Sequence, residues 1–263
     1  MSKIRQGAVL CLVLAAPALW AQPRPASDAE AGQSQVVEAQ AAQLYSLANQ
    51  ARAAKGLRRL QWDPALALGA LRHCRRMAQE GPIAHRYGGE PDVTARASQA
   101  GAHFSLVEEN IAVGASPASI HSGWMNSPDH LANLMNPGVD RVGIAVVAHG
   151  GVLYAVTDFA RSVPVLTQAQ VEAAYAGLLR ARGLTVLKDP SAARAYCASS
   201  GRFSGPDAPG YLIRFQNADL TQLPAPLAAR VATGQYRQAA VGSCAPQNLE
   251  GAFTVFRVAV LLY

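Results

Sequence analysis

Two stretches, Glu109-Asn110-Ile111-Ala112 and Trp124-Met125-Asn126-Ser127-Pro128-Asp129-His130, decide how this chain is read. Ser127 followed by Pro128 marks a helix start. Serine is a preferred N-cap, and proline at the first helical position lacks an N–H that would have no partner there. His130 then falls in the first turn, where the positive end of the helix dipole disfavours an imidazolium. A neutral ring can ligate a metal or accept a proton. Asn133 lies three residues on and shares its helical face. Asn136-Pro137 ends this helix, and Ser116-Pro117 opens a shorter one that presents Ile120 and Trp124.

Working outward, the pattern turns helical from Val36, with Val37, Leu44, Leu47, Ala48 and Ala51 at three- and four-residue steps until Gly56. Asp63 and Pro64 open a second helix whose apolar stripe runs through Leu66, Ala70, Leu71, Cys74 and Met77. Cys74 on that stripe reads as a buried, inert thiol. Residues 81–105, with Gly81, Pro82, Gly88, Gly89 and Pro91, read as loop. Downstream, Val142, Ile144 and Val146 alternate with small residues, Gly150-Gly151 turns the chain, and Val152 to Phe159 returns as a hairpin. Residues 36–162 make one unit, and Ser162 to Thr167 is a linker containing Pro164. A capping box at Thr167 and Gln170 starts a helix that Gly183 ends. Apolar segments near Tyr211–Phe215, Tyr236–Val241 and Phe253–Tyr263 read as strands, and Pro226 to Thr233 as a helix. Residues 163–263 are thus a small α/β domain, and the chain reads without an internal repeat.

These blocks resemble one family when taken in order. They are Asn49, Arg52, Gly56-Leu57, Leu60 and Trp62-Asp63; then Ile83-Ala84-His85; then the two stretches above; then Val142-Gly143-Ile144-Ala145. The chain from 38 to 162 is similar to the CAP superfamily of cysteine-rich secretory proteins, antigen 5 and plant pathogenesis-related proteins, in its bacterial, SCP-like branch. The resemblance implies an α+β fold, a three-layer α–β–α sandwich followed here by the small α/β domain. It also implies a cleft lined by His85, His130 and Glu109, with Ser127 and Asn133 beside them. Two imidazoles and a carboxylate are ligand types that a zinc-like divalent cation takes. The family's second glutamate falls near Ser127 and is missing. Glu108, Asp129 and Leu131 stand where the family has Gly, Gly and Arg. The expectation is an extracellular module that binds a cation or a cell-envelope ligand. The alternative is a metal-assisted hydrolase acting on peptide, cell wall or nucleic acid, with Glu108 or Asp129 standing in for the missing base. His73, His103, His121 and His149 match no motif position and read as surface residues.

Composition sets the outer bounds. Lys3 and Arg5 precede an apolar run of about 14 residues, too short to span a bilayer, and Ala21 offers a cleavage point. Residues 1–21 therefore read as an export signal and 22–35 as a flexible leader. Cys11 lies behind Leu10 and is not read as a lipidated cysteine. Removing Lys3 and Arg5 lowers the net charge from +6 to +4. The remaining positives are scattered, so no dedicated nucleic-acid patch is expected, and no later stretch reads as a membrane helix. Cys74, Cys197 and Cys244 remain. With Cys74 on a helix stripe of the first unit, parity and placement predict a Cys197–Cys244 disulfide.

Overall fold

The computed structural model describes residues 28–199, 201, 208–245 and 253–263. The expected export signal and the first part of the expected leader lie outside these residues. The rest of the leader is not loop. Helix α1 (Asp28–Ala54) begins well ahead of Val36. The sequence Asp28-Ala29-Glu30-Ala31 is of residue types that favour a helix start, acids for its N-terminal end and alanine for its high propensity. No helix among the described residues is long and apolar enough to cross a membrane.

After α1 come β1 (Gln61–Trp62), α2 (Pro64–Glu80), α3 (Val93–Gln99), β2 (Phe104–Gly114), α4 (Pro117–Met125), α5 (Pro128–Met135), β3 (Arg141–His149) and β4 (Val152–Ser162). The strands form one sheet in the order β1-β3-β4-β2, with β1 parallel to β3 and the other pairs antiparallel. Strand alternation sends Val142, Ile144, Val146, Ala155 and Phe159 to one face, against Leu44 and Ala48 of α1, Ile120 and Trp124 of α4 and Leu134 of α5. The opposite face sends Ala145, Val156 and Ile111 against Ala70, Cys74 and Met77 of α2. The unit is the expected three-layer α–β–α sandwich. Helix α3 lies within 81–105, which the glycines and prolines mark as loop; Asp92 caps it, its Oδ1 accepting from Ala95 N at 2.8 Å.

One backbone contact sets how closely α2 approaches the sheet. A Cβ on Gly143 would meet Ala67 N at 2.1 Å and Leu66 C at 2.3 Å. The helix start rests on the strand through a position that only glycine leaves open.

The second unit contains α6 (Gln168–Arg180), β5 (Thr185–Val186), α7 (Ser191–Ala198), β6 (Tyr211–Asn217), α8 (Ala225–Ala232), β7 (Gln238–Cys244) and β8 (Phe256–Leu262). Its sheet order is β5-β7-β8-β6, with β5 parallel to β7 and the rest antiparallel. This is the first sheet's order and sense, strand for strand. Helices α6 and α8 cover one face and α7 the other. Gly242 repeats the role of Gly143: a Cβ there would meet Arg194 N at 2.1 Å and Ala193 C at 2.3 Å. An internal repeat is therefore present, contrary to the sequence reading. The anticipated Cys197–Cys244 disulfide closes in this unit, and Cys74 is free and buried. Phe253 packs edge-on against Phe104 at 5.8 Å, and Thr254 N donates to Phe104 O at 2.7 Å, so the units touch.

Gly143→Ala should destabilise by about 3 kcal/mol in urea denaturation, because the new methyl meets backbone. Gly123, helical with nothing near its Cβ position, should accept alanine with a gain of about 0.5–1 kcal/mol. Equal effects at the two positions would remove the close-approach argument.

Candidate functional site

Glu109 lies on the edge strand β2 with its side chain turned toward α3. It is almost fully buried, and both carboxylate oxygens are engaged. Oε1 meets His85 Nδ1 at 2.8 Å, and Oε2 accepts from Arg96 Nη2. Arg96, on α3, also donates to His85 O at 3.2 Å and Pro91 O at 2.9 Å, which fixes the segment carrying His85. His73 is fully buried rather than on the surface. It bridges Glu90 Oε1 at 2.8 Å and Ala84 O at 3.0 Å, bracing the same segment from below. Its position on α2 opposite Ala84 was not visible in the spacing. His103 and His149 are exposed, as read, and His121 is half-buried.

His130 comes from the other side of the edge strand. Its carbonyl accepts from Asn110 Nδ2 at 2.9 Å, and Asn133 Nδ2 donates to Asn110 Oδ1 at 2.9 Å and Glu109 O at 3.3 Å. These bonds stitch α5 to β2. Ser127 occupies the N-cap position but makes no capping bond. Its Oγ is taken by His130 Nδ1 at 2.8 Å, so it orients the imidazole instead of the helix end. Each histidine thus has Nδ1 held by a partner, and among the described residues no protein group takes Nε2 of either ring. No three His, Cys, Asp or Glu side chains among those residues gather as a metal ion would need.

The electrostatics of the two rings differ in sign. The bond to Glu109 raises the His85 pKa above 6.5, although burial opposes it. Burial lowers the His130 pKa, and a positive charge on His85 lowers it further. The two rings therefore sense each other. Burial pushes the Glu109 carboxyl up, but the His85 bond and the Arg96 charge outweigh it and leave the value below 4.5. Opposite Glu109 in the ladder stands Asp158, fully buried, with no protein donor among the described residues on either oxygen and the Glu109 carboxylate as its polar neighbour. Burial and the Glu109 charge drive its pKa well above the usual carboxylate range. Sequence reasoning named neither Arg96 nor Asp158: one lay in a presumed loop, and the other is a lone acid in an apolar strand. Glu108 faces away and accepts from Asn136 Nδ2 at 2.8 Å, and Asp129 is exposed.

Residues 45–159 match the model of CAP, the cysteine-rich secretory protein family. Among curated proteins, the chain is 29% identical over 120 residues to YkwD, an uncharacterized protein of Bacillus subtilis, covering 44% of this chain and 46% of the relative. It is 31% identical over 109 residues to the uncharacterized membrane protein YlbC of the same organism, covering 40% of this chain and 30% of the relative. The chain spans less than half the length of either. Similar solved structures include an extracellular protein containing an SCP domain from Bacillus anthracis, with 24% identity and TM-score 0.47 over 53% of this chain and 45% of that one. A cysteine-rich secretory protein from Staphylococcus aureus aligns with 23% identity and TM-score 0.40 over 54% and 42%.

The ionised His85–Glu109 pair should persist between the depressed Glu109 value and the elevated His85 value. The part contributed by His85 is lost as pH rises through its raised pKa; the part contributed by Glu109 is lost as pH falls through its lowered pKa. NMR titration should place the His85 midpoint above 6.5 and the His130 midpoint below it. Glu109→Gln should move the His85 midpoint down. Midpoints in the reverse order would show that the rings are not held as described.

Proposed function

From the premise that residues 45–159 belong to the cysteine-rich secretory protein (CAP) family, we propose that the protein is an extracellular binding module whose His85–His130 cleft takes a divalent, zinc-like cation. The observation that carries this reading is the pair of rings oriented through Nδ1, with Nε2 on each left for a ligand. The donor chemistry fits. Imidazole nitrogen is a preferred zinc donor, and a carboxylate behind one ring is the arrangement that fixes a ligating histidine and raises its basicity. Glu109 is engaged by His85 and Arg96, so its role in this reading is to orient His85 from behind. The remaining coordination positions would fall to water or to a ligand from the extracellular surroundings. A bound cation would supply positive charge to hold a carboxylate, phosphate or carbonyl oxygen of that ligand.

Binding is favoured over metal-assisted hydrolysis by the placement of Glu108 and Asp158, which leaves a hydrolase reading to depend on Asp129, exposed in the first turn of α5 beside His130. Glu108 is on the opposite pleat, bonded to Asn136, and Asp158 is sealed from solvent. Neither stands where it could draw a proton from a water in the cleft, which hydrolysis of that type needs.

Calorimetry with zinc chloride near neutral pH should show one saturable site that weakens as pH falls, since a protonated imidazole cannot ligate. His85→Ala and His130→Ala should each abolish most of the heat. Glu109→Gln should weaken binding by about tenfold or more, the scale of losing an outer-shell partner. The fold should survive the histidine changes, because His85 is exposed and half-buried His130 is tied to β2 through its backbone carbonyl, which alanine keeps. No uptake at neutral pH, with the variants indistinguishable from the parent, would remove the cation from the cleft.

A further inference from the structure

Between α1 and α2, along the margin of β3, lies a cavity of ≈ 530 Å³ lined by Ala41, Tyr45, Trp62, Leu68 and Ile144 to Val146. The margin is open for a simple reason: β1 is two residues long and covers only Arg141 and Val142 before Asp63-Pro64 turns the chain into α2. Asp63 N donates to Val142 O at 2.9 Å, so the Val142 peptide groups point toward that margin. Peptide groups alternate along a strand. Those of Ile144 and Val146 therefore point the same way, past the end of β1 and into the cavity. Trp62 and Leu68 beside it are 41% and 42% exposed.

The second unit shows what this margin takes when filled. There β5 covers only Gln238 and Ala239. Further along, Ser243 N donates to Glu172 Oε1 at 2.9 Å, and Ser243 O accepts from Gln168 Nε2 at 3.1 Å. A carboxylate and an amide from α6 stand in for the missing strand. Ser243 follows Gly242 as Ile144 follows Gly143, although β5 stops two residues further from its glycine than β1 does, so Val241 also lies beyond the short strand. Counted back from the glycines that end the two helices, Gly183 and Gly56, Gln168 and Glu172 fall on Ala41 and Tyr45. The first unit thus has a methyl group and a phenol where the second has its plug. The phenol is engaged elsewhere, with Tyr45 Oη donating to Leu60 O at 2.9 Å.

We propose that this groove binds an extended segment of another polypeptide by strand addition. The guest's backbone pairs with the N–H and C=O of Ile144, and its side chains lie against Trp62 and Leu68. A peptide unit offers a donor and an acceptor together, which is what Gln168 and Glu172 supply in the second unit. An acyl chain would leave both Ile144 groups unmet in an apolar slot, an arrangement that costs free energy. Glu38 at the mouth favours a basic residue at one end of the guest. Strand addition of this kind draws affinity from main-chain bonds and selectivity from alternate side chains.

The test uses the full chain and a fluorescein-labelled, end-blocked hexapeptide, Lys-Val-Thr-Val-Thr-Val, alongside the same peptide with alternate amides N-methylated. Fluorescence anisotropy should give saturable binding that N-methylation weakens by about tenfold or more, the scale of deleting main-chain hydrogen bonds. Ala41→Gln, which imports half of the second unit's plug, should weaken it comparably. In hydrogen exchange, the Ile144 amide should exchange faster than that of Ser243 in the free protein and slow when the peptide is added. Three outcomes would overturn the proposal. These are an Ile144 amide already as slow as Ser243, no saturable binding up to millimolar peptide, or equal binding of the methylated peptide together with displacement by a labelled fatty acid. The last would mark the groove as an apolar slot for acyl chains.

Discussion

Arg52 ends α1 with a guanidinium that solvent does not reach, donating to the carbonyl oxygens of Arg58, Leu134, Asn136 and Val139. Among the described residues no carboxylate pairs with its charge, and burial pulls its pKa down. Its acceptors are instead backbone oxygens that would otherwise be orphaned, among them a carbonyl in the last turn of α5. One side chain thus fixes three chain segments against α1: the approach to β1, the end of α5 and the entry to β3. Because α5 carries His130 in its first turn, the cleft inherits its geometry from this anchor. Asn49 works beside it, its Oδ1 accepting from Leu60 N at 2.7 Å. The polar residues at the start of the family pattern act as fasteners for the sheet's parallel edge.

Much of this was legible in the sequence, and the exceptions have physical causes. Helix starts marked by Asp63-Pro64, Ser116-Pro117 and Ser127-Pro128 were readable because capping and proline act locally. The hairpin from Arg141 to Ser162 was readable because alternation is local as well. Helix α3 was hidden by the glycines and prolines around it, although Asp92 caps it. The two-residue strands β1 and β5 carry no periodicity. His73 could not be told from a surface histidine, because its partners, Glu90 and Ala84, come from the segment beyond the helix end. The helix start at Ser127-Pro128 singled out His130, but that His85, Glu109 and His130 share a cleft came from the family likeness alone. Their mutual orientation depends on Arg96, which nothing in the spacing indicated.

The repeat escaped the sequence because the two units share a frame and almost no site chemistry. Across the sheets, Gly143, Asp158 and Glu109 stand in register, and Gly242, Ala259 and Arg214 stand in register at the corresponding places. The carboxylate that orders the first cleft is thus an arginine in the second. Arg214 turns to the carbonyls of Tyr196 and Gly201 and lies 5.8 Å over the Tyr196 ring. The glycine that lets a helix start meet a strand persists, since backbone contact constrains it in both units. The ionisable groups do not persist, since the frame stands without them. Function therefore has to be argued from the side chains each copy carries, and not from the architecture they share.

The same registration gives the disulfide a meaning beyond a cross-link. With Gly143 matched to Gly242, Cys197 and Cys244 correspond to Ala70 of α2 and Ala145 of β3, buried in one apolar cluster. The first unit attaches its covering helix by apolar packing along the 17 residues of α2, whereas α7 has 8. The shorter helix is fastened by a covalent bond that closes a 47-residue separation, worth about 4 kcal/mol on the chain-entropy account. Cys74 stays outside this chemistry, its thiol buried and its pKa pushed up to about 12 by burial. Redox conditions therefore bear on the two halves unequally. A reducing milieu would slacken the carboxy-terminal half at α7 and leave the amino-terminal cleft bonded as before.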